Sequence, residues 1–295
     1  MTTGGTGTGR AGGTVVVVGG GLMGSGIAHA FLVGGRRVRL VELDAGAAVA
    51  SHERIRAHLE ATARRGRLEE GVEAAVTRLE VRTSGEGLEM DPDVTLAIEA
   101  VPEVASLKLE VLAALEAAVG DEAVVATNTS SIAVSELAAG LAHPGRFLGL
   151  HFFNPVPASL LVEVVVGGRT STGTVARATA IVEALGKQAI VVRDSPGFAT
   201  SRMGVLLGLE AIRMLEEEVA SAEDIDRAMT LGYKHPVGPL HLTDLVGLDV
   251  RLAVADYLRT TLGERYEAPA LLRQMVERGE LGRKCGRGFF SYPEP

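Results

Sequence analysis

Residues 14–35 read TVVVVGGGLMGSGIAHAFLVGG. Thr14 to Val18 is an unbroken β-branched run, the composition of a strand buried on both faces in a parallel sheet. Glycines follow at once, and the chain passes into a helical pattern that ends at Gly34-Gly35. Gly19, Gly21 and Gly24 are spaced as G-x-G-x-x-G. In that motif the first glycine permits a tight turn, the second lets backbone approach a pyrophosphate, and the third lets helix pack on strand. The helix N-terminus then offers N–H donors and the positive end of its dipole to phosphate. A second strand, VRLV at Val38 to Val41, closes on Glu42, 18 residues beyond Gly24. A carboxylate at that distance holds ribose hydroxyls and repels a 2′-phosphate, so the motif favours NAD over NADP. Arg36, Arg37 and Arg39 lie close by and pull weakly the other way.

The same strand–helix rhythm continues outward. Further buried strands are expected at Val94 to Ala100, Ala123 to Ala126, Phe147 to His151, Leu161 to Val166 and Gln188 to Val192. Helical stretches are expected at Val49 to Arg65, Leu107 to Val119 and Thr174 to Leu185. Alternation of this kind predicts an α/β fold with a Rossmann-like doubly wound sheet. Beyond Arg193 no strand run stands out. Helical patterns cover Phe198 to Glu218, Ala222 to Leu231, Leu248 to Leu262 and Pro269 to Arg278, with Ser221 as an N-cap. The expected organisation is a flexible leader over 1–13, a dinucleotide domain over 14–192 and an all-helical domain over 193–295.

Composition bounds the rest. The 295 residues include 37 acidic and 29 basic side chains, for a net charge of −8. That balance lacks the basic footprint of a nucleic-acid binder. With 46% hydrophobic residues the chain supports a folded core, built without Trp. No apolar run approaches the ~18 residues of a membrane span, and no signal-peptide pattern opens the chain. A single cysteine, Cys285, excludes an internal disulfide framework, so the expected compartment is the cytoplasm. The seven histidines show no metal-ligand spacing, and no metal is expected.

Several motifs follow in order: GGGLMGSGIA from Gly19, EAVPE at Glu99–Glu103, NTSS at Asn128–Ser131, LHFFNPVP at Leu150–Pro157 and LVEVV at Leu161–Val165. DSPGF at Asp194–Phe198, GPLHLTDLVGLD at Gly238–Asp249 and GRKCGRGFF at Gly282–Phe290 complete the set. From Val15 to Tyr292 the chain resembles the short-chain L-3-hydroxyacyl-CoA dehydrogenases, including the 3-hydroxybutyryl-CoA type. The resemblance implies an NAD domain followed by a helical domain through which two subunits form a homodimer. It implies that His151 is the catalytic base, that Glu163 orients it, and that Ser130 stands beside the substrate oxygen. It places Leu22 and Met23 of the glycine loop, Glu103, Lys108, Asn128 and Lys284 on the cofactor. It places Asn154, His58 and Arg65 on the acyl-CoA substrate.

The residue chemistry supports these roles. Oxidising an alcohol with NAD needs a base for the hydroxyl proton, and histidine titrates in the useful range. A carboxylate on the other ring nitrogen fixes the tautomer and stabilises the imidazolium. Glu163, inside LVEVVV, is costly to bury without such a partner. Three positions depart from the family pattern. Ser201 stands where an Asn resembling a fourth catalytic residue is usual. His58 stands for a usual Ser, and Arg65 for a usual Lys. The bland readings are that Ser130 caps a helix beginning at Ser131 and that Lys108 is solvated charge. The leading substrate is 3-hydroxybutyryl-CoA, with 3-hydroxyadipyl-CoA and a hydroxyacyl group on an acyl carrier protein as alternatives. A non-catalytic NAD-binding protein is the reading from another class, and retention of Ser130, His151 and Glu163 together argues against it.

Overall fold

The computed structural model describes residues 13–86 and 91–293. The expected leader, 1–13, lies outside the described residues except for Gly13. The chain divides into two units, Met1–Asp194 and Ser195–Pro295, two residues beyond the boundary expected from the sequence.

The first unit is an eight-stranded sheet flanked by helices. In chain order its elements are β1 (Thr14–Val18), α1 (Leu22–Val33), β2 (Arg37–Glu42), α2 (Ala45–Arg64), α3 (Val72–Val76) and β3 (Leu79–Thr83). Then come β4 (Val94–Glu99), α4 (Ala105–Ala118), β5 (Val124–Thr127), α5 (Val134–Ala138), β6 (Phe147–Phe152), β7 (Leu161–Val166), α6 (Thr172–Ala184) and β8 (Gln188–Arg193). The strand order is β3-β2-β1-β4-β5-β6-β7-β8. The order doubles back across β1 and β4, which sets the crevice at the strand ends around the glycine loop. Val15, Val17, Leu40, Leu96, Ile98, Val124 and Leu148 are fully buried, with Ile27 and Leu59 of the helices packed into the same core. Asp44 begins α2 by accepting a 2.8 Å hydrogen bond from the Ala47 N–H, the usual role of Asp at an N-cap.

Two features escaped the sequence. Strand β3, LEVRT, is a half-buried edge strand whose charged residues hide its period. More consequential is the direction of β7. All neighbouring pairs are parallel except β6 and β7, which are antiparallel. The link at 153–160 is too short for the crossover that parallel strands need, ~12 residues or more, so the chain reverses.

The second unit holds α7 (Thr200–Glu216), α8 (Ala222–Arg227), α9 (Pro239–Val246), α10 (Leu248–Leu262) and α11 (Ala270–Glu277). They enclose Val205, Leu209, Ile212, Leu240, Leu248, Leu258, Tyr266 and Leu272. Ser221 caps α8 as expected, accepting from the Asp224 N–H at 3.1 Å. The helix expected to run to Leu231 gives way to a wide π-turn at Ala228–Gly232. Helix α9 was not foreseen. Its proline occupies the first turn, where a missing N–H costs nothing, and the Asp226 carboxylate caps it through the N–H groups of Leu240 and His241. Asp244 fastens the tail, accepting from the Phe289 and Phe290 N–H groups and the Tyr292 hydroxyl. Among the described residues, no helix is long and apolar enough to cross a membrane.

Candidate active site

The antiparallel β6–β7 pair sets His151 directly opposite Glu163 in register. Their side chains meet at 2.7 Å, His151 Nδ1 to Glu163 Oε2. Glu163 is fully buried and His151 is 7% exposed. A glutamate in the middle of an apolar strand thus has its partner on the adjacent strand. Phe153 packs on the imidazole, with ring centroids 4.5 Å apart.

Strand β5 leads into the loop that carries Asn128 and Ser130. Asn128 Oδ1 accepts from the Phe152 N–H at 2.9 Å, tying this loop to the residue after His151. Its side-chain carbonyl is thereby fixed, which orients the amide –NH2. Glu103 Oε1 gathers the next three residues. It accepts from Thr129 Oγ1 (2.5 Å), the Ser130 and Ser131 N–H groups (3.0 Å each) and Ser131 Oγ (2.9 Å). Ser130 is held by its backbone while the residue itself stays exposed. It does not cap the following helix. That role falls to Asp194, which accepts from the Val134 and Ser135 N–H groups at the start of α5.

Lys108 is not a solvated lysine. It is 1% exposed, and Nζ reaches Glu99 Oε1 at 2.7 Å, the Val101 carbonyl at 3.2 Å and Glu103 Oε2 at 3.2 Å. Glu99, also fully buried, accepts in addition from the Val101 N–H and Thr127 Oγ1. Burial alone would raise the Glu103 carboxyl. The Lys108 charge and the hydroxyls of Thr129 and Ser131 outweigh it and hold the group below the ordinary carboxylate range. Lys108 therefore links the end of β4, through two glutamates, to the loop bearing Ser130. The motif EAVPE contains both glutamates, but spacing gave no sign that Glu99 points into the protein.

The glycine loop fits a dinucleotide. A Cβ on Gly21 would meet nothing within 4 Å, so the backbone there faces open space at the start of α1, whereas one on Gly24 would fall 1.7 Å from the Gly19 carbonyl oxygen. The first property admits a phosphate and the second seats helix on loop. Glu42 leans over the loop: a Cβ on Gly20 would lie 2.4 Å from its Oε1. Gly20, outside the motif, is what allows that approach. Leu22 and Met23 form the first turn of α1.

His58, Arg65 and Asn154 come together with Leu22, Thr62 and Val156 around an open cavity of about 260 Å³. His29 Nε2 and Thr62 Oγ1 lie 2.9 Å apart, and the His29 and His58 rings meet edge to face at 5.7 Å. Burial, with His58 and Lys187 nearby, pushes His29 down to about 4. Burial and Arg54 lower His58 as well. This pair of neutral histidines was invisible in sequence, where 29 residues separate them. In the second unit Ser201 lies in the first turn of α7, and Lys284 Nζ meets both Asp249 oxygens at 2.6 Å. Among the described residues, no group of three or more His, Cys, Asp or Glu is placed to hold a metal.

Residues 14–195 match the model of the 3-hydroxyacyl-CoA dehydrogenase NAD binding domain, and residues 197–292 match that of its C-terminal domain. The chain belongs to the 3-hydroxyacyl-CoA dehydrogenase family. A 3-hydroxybutyryl-CoA dehydrogenase of Mycobacterium tuberculosis is 42% identical over 94% of this chain and 98% of its own. A probable 3-hydroxybutyryl-CoA dehydrogenase of Bacillus subtilis is 39% identical over 95% and 97%. The crystal structure of (S)-3-hydroxybutyryl-CoA dehydrogenase from Ralstonia eutropha superimposes with a TM-score of 0.88, at 40% identity, over 95% of this chain and 99% of the other. As in the rest of the family, the first unit is the NAD-binding domain and the helical unit follows it.

Proposed function

We propose that this dehydrogenase interconverts (S)-3-hydroxyacyl-CoA and 3-oxoacyl-CoA thioesters with NAD, and that 3-hydroxybutyryl-CoA is its reference substrate. The observation that carries the reading is the buried His151–Glu163 pair at 2.7 Å. NAD, when bound, accepts the hydride from C3 of the substrate. His151 takes the hydroxyl proton in the oxidation and returns it in the reduction. Glu163 holds the imidazole in the tautomer that accepts at Nε2 and stabilises the imidazolium that results. Ser130, held by its backbone on Glu103, donates a hydrogen bond to the substrate oxygen, and Ser201 holds the substrate near the base.

Gly19, Gly21, Leu22, Met23 and Gly24 receive the pyrophosphate, and Glu42 the ribose hydroxyls. Asn128, Glu103 and Lys284 complete the cofactor contacts, with Lys108 holding Glu103 in place. The buried network gives Lys108 that role through Glu103 and the loop, not through a solvated ammonium. Arg65, His58 and Asn154 hold the CoA arm, the guanidinium acting on phosphate with forked geometry. The resemblance, and the exposed Met203, Leu206, Leu245, Val246 and Val250 of the helical unit, support a homodimer. The single cysteine supports a cytoplasmic setting.

The test is NADH consumption with acetoacetyl-CoA, with NADPH as the control cofactor. Rapid turnover with NADH and little with NADPH is expected. His151→Ala is expected to abolish turnover while NADH still binds. Near-normal turnover in that variant would refute the base assignment.

A further inference from the structure

The glycine loop rests on an arginine from α2. Arg54 is half-buried, and its Nη1 donates to the Gly20 carbonyl at 2.6 Å and to Ser25 Oγ at 3.2 Å. Ser25, fully buried in the first turn of α1, donates its own hydroxyl proton to the same carbonyl at 2.5 Å. Among the described residues Arg54 meets no carboxylate. Glu42 leans over Gly20 as well but makes no ion pair with it. Arg39, Arg56 and Arg78 of the same unit each pair with a glutamate.

This anchoring decides which way the loop's donors point. In a trans peptide the carbonyl and the N–H lie on opposite sides. The Gly20 carbonyl is held toward Ser25 and Arg54, so the Gly21 N–H of the same peptide faces away from them. A Cβ on Gly21 would meet nothing within 4 Å, so that side is open. Helix α1 begins there with no side-chain cap and no acidic residue in its first turn. A dinucleotide brings two phosphate charges to this end of the helix. A cation behind the loop, with no anion of its own to neutralise it, adds to the attraction.

We propose that Arg54 is a positioning residue for NAD: it fixes the Gly20–Gly21 peptide with its N–H toward the pyrophosphate and gives the loop an uncompensated positive charge. This rests on the reading that the glycine loop receives the pyrophosphate, and Gly21→Ala tests that reading by itself. The protein has room for the added methyl, so Tm should hold, while a phosphate seated against the loop would collide with it. The measurement is calorimetric binding of ADP-ribose, which carries the pyrophosphate and lacks the nicotinamide, so binding is read apart from turnover. Gly21→Ala is expected to weaken ADP-ribose by about tenfold or more. Parental affinity in that variant would overturn the loop reading and the proposal with it. Arg54→Met is expected to weaken ADP-ribose by about tenfold, the worth of one charge-assisted hydrogen bond. Arg54→Lys, which keeps the charge and a donor, should stay within about threefold of the parent. The parent's affinity should also fall more steeply with ionic strength than that of Arg54→Met, because only the parent carries the extra charge. A merely structural arginine would leave that slope unmoved. A lower Tm in Arg54→Met with parental ADP-ribose affinity, or identical salt slopes in the two proteins, would overturn the proposal and leave the loop reading intact.

Discussion

Replacing Lys108 with methionine separates its two roles. The ammonium lies 2.7 Å from a glutamate that has no solvent exposure at all. In Lys108→Met, Glu99 keeps the Val101 N–H and the Thr127 hydroxyl but loses the only cation within reach of it among the described residues. Removing one partner of a buried ion pair costs ~3–5 kcal/mol, because the other charge stays buried and uncompensated. At ~2–4 °C per kcal/mol for a unit of this size, the transition should fall by about 10 °C. The double variant Glu99→Gln/Lys108→Met removes the stranded charge and should recover more than half of that loss. Calorimetric unfolding of the parent, Lys108→Met, Glu99→Gln and the double variant, with NADH affinity measured alongside, gives the coupling directly. A Tm within a degree of the parent, with NADH affinity reduced tenfold or more, would refute this reasoning and make Lys108 a direct cofactor contact.

Other expectations are as specific. Glu163→Gln preserves shape but removes the carboxylate facing His151, and should lower kcat by about a hundredfold, the worth of ~3 kcal/mol for a charge-assisted hydrogen bond. NADH affinity should be unchanged, and a kcat within threefold of the parent would count against the pair. Ser201→Asn, restoring the family residue, should raise kcat/KM on acetoacetyl-CoA; an unchanged or lower value would mean that serine is fitted to another acyl group. His29 gives a pH signature. Its folded value near 4 lies below the ordinary 6.5, so the unfolded chain binds the proton first. The stability it contributes is complete above pH 6.5 and is lost as pH falls toward 4, by roughly 3 kcal/mol at 1.36 kcal/mol per pH unit. His29→Gln should therefore flatten the fall in Tm across that window, and an identical slope in both proteins would exclude the histidine as its cause.

Much of this protein is legible in one dimension because its signals are local. A β-branched run, a glycine turn and a carboxylate 18 residues on each reflect the demands of backbone geometry on neighbouring residues. They declare a strand, a glycine turn into a helix and an acidic residue at the end of the next strand without reference to the rest of the chain. The His151 and Glu163 assignment was legible through motif, with His151 closing one expected strand and Glu163 inside the next in a sheet read as doubly wound. The structure instead reverses β7 and sets them face to face. Strand direction depends on the length and path of the link, and side-chain pairing depends on register, so neither is written in the residues themselves. The same holds for Lys108, which reads as surface charge on a helix until β4 brings Glu99 beneath it. It holds for the meeting of His29 with His58. Charge and ring type are sequence properties. Whether a charge is solvated, paired or stranded is set by what folding carries alongside it, and that is decided by packing between elements far apart in the chain.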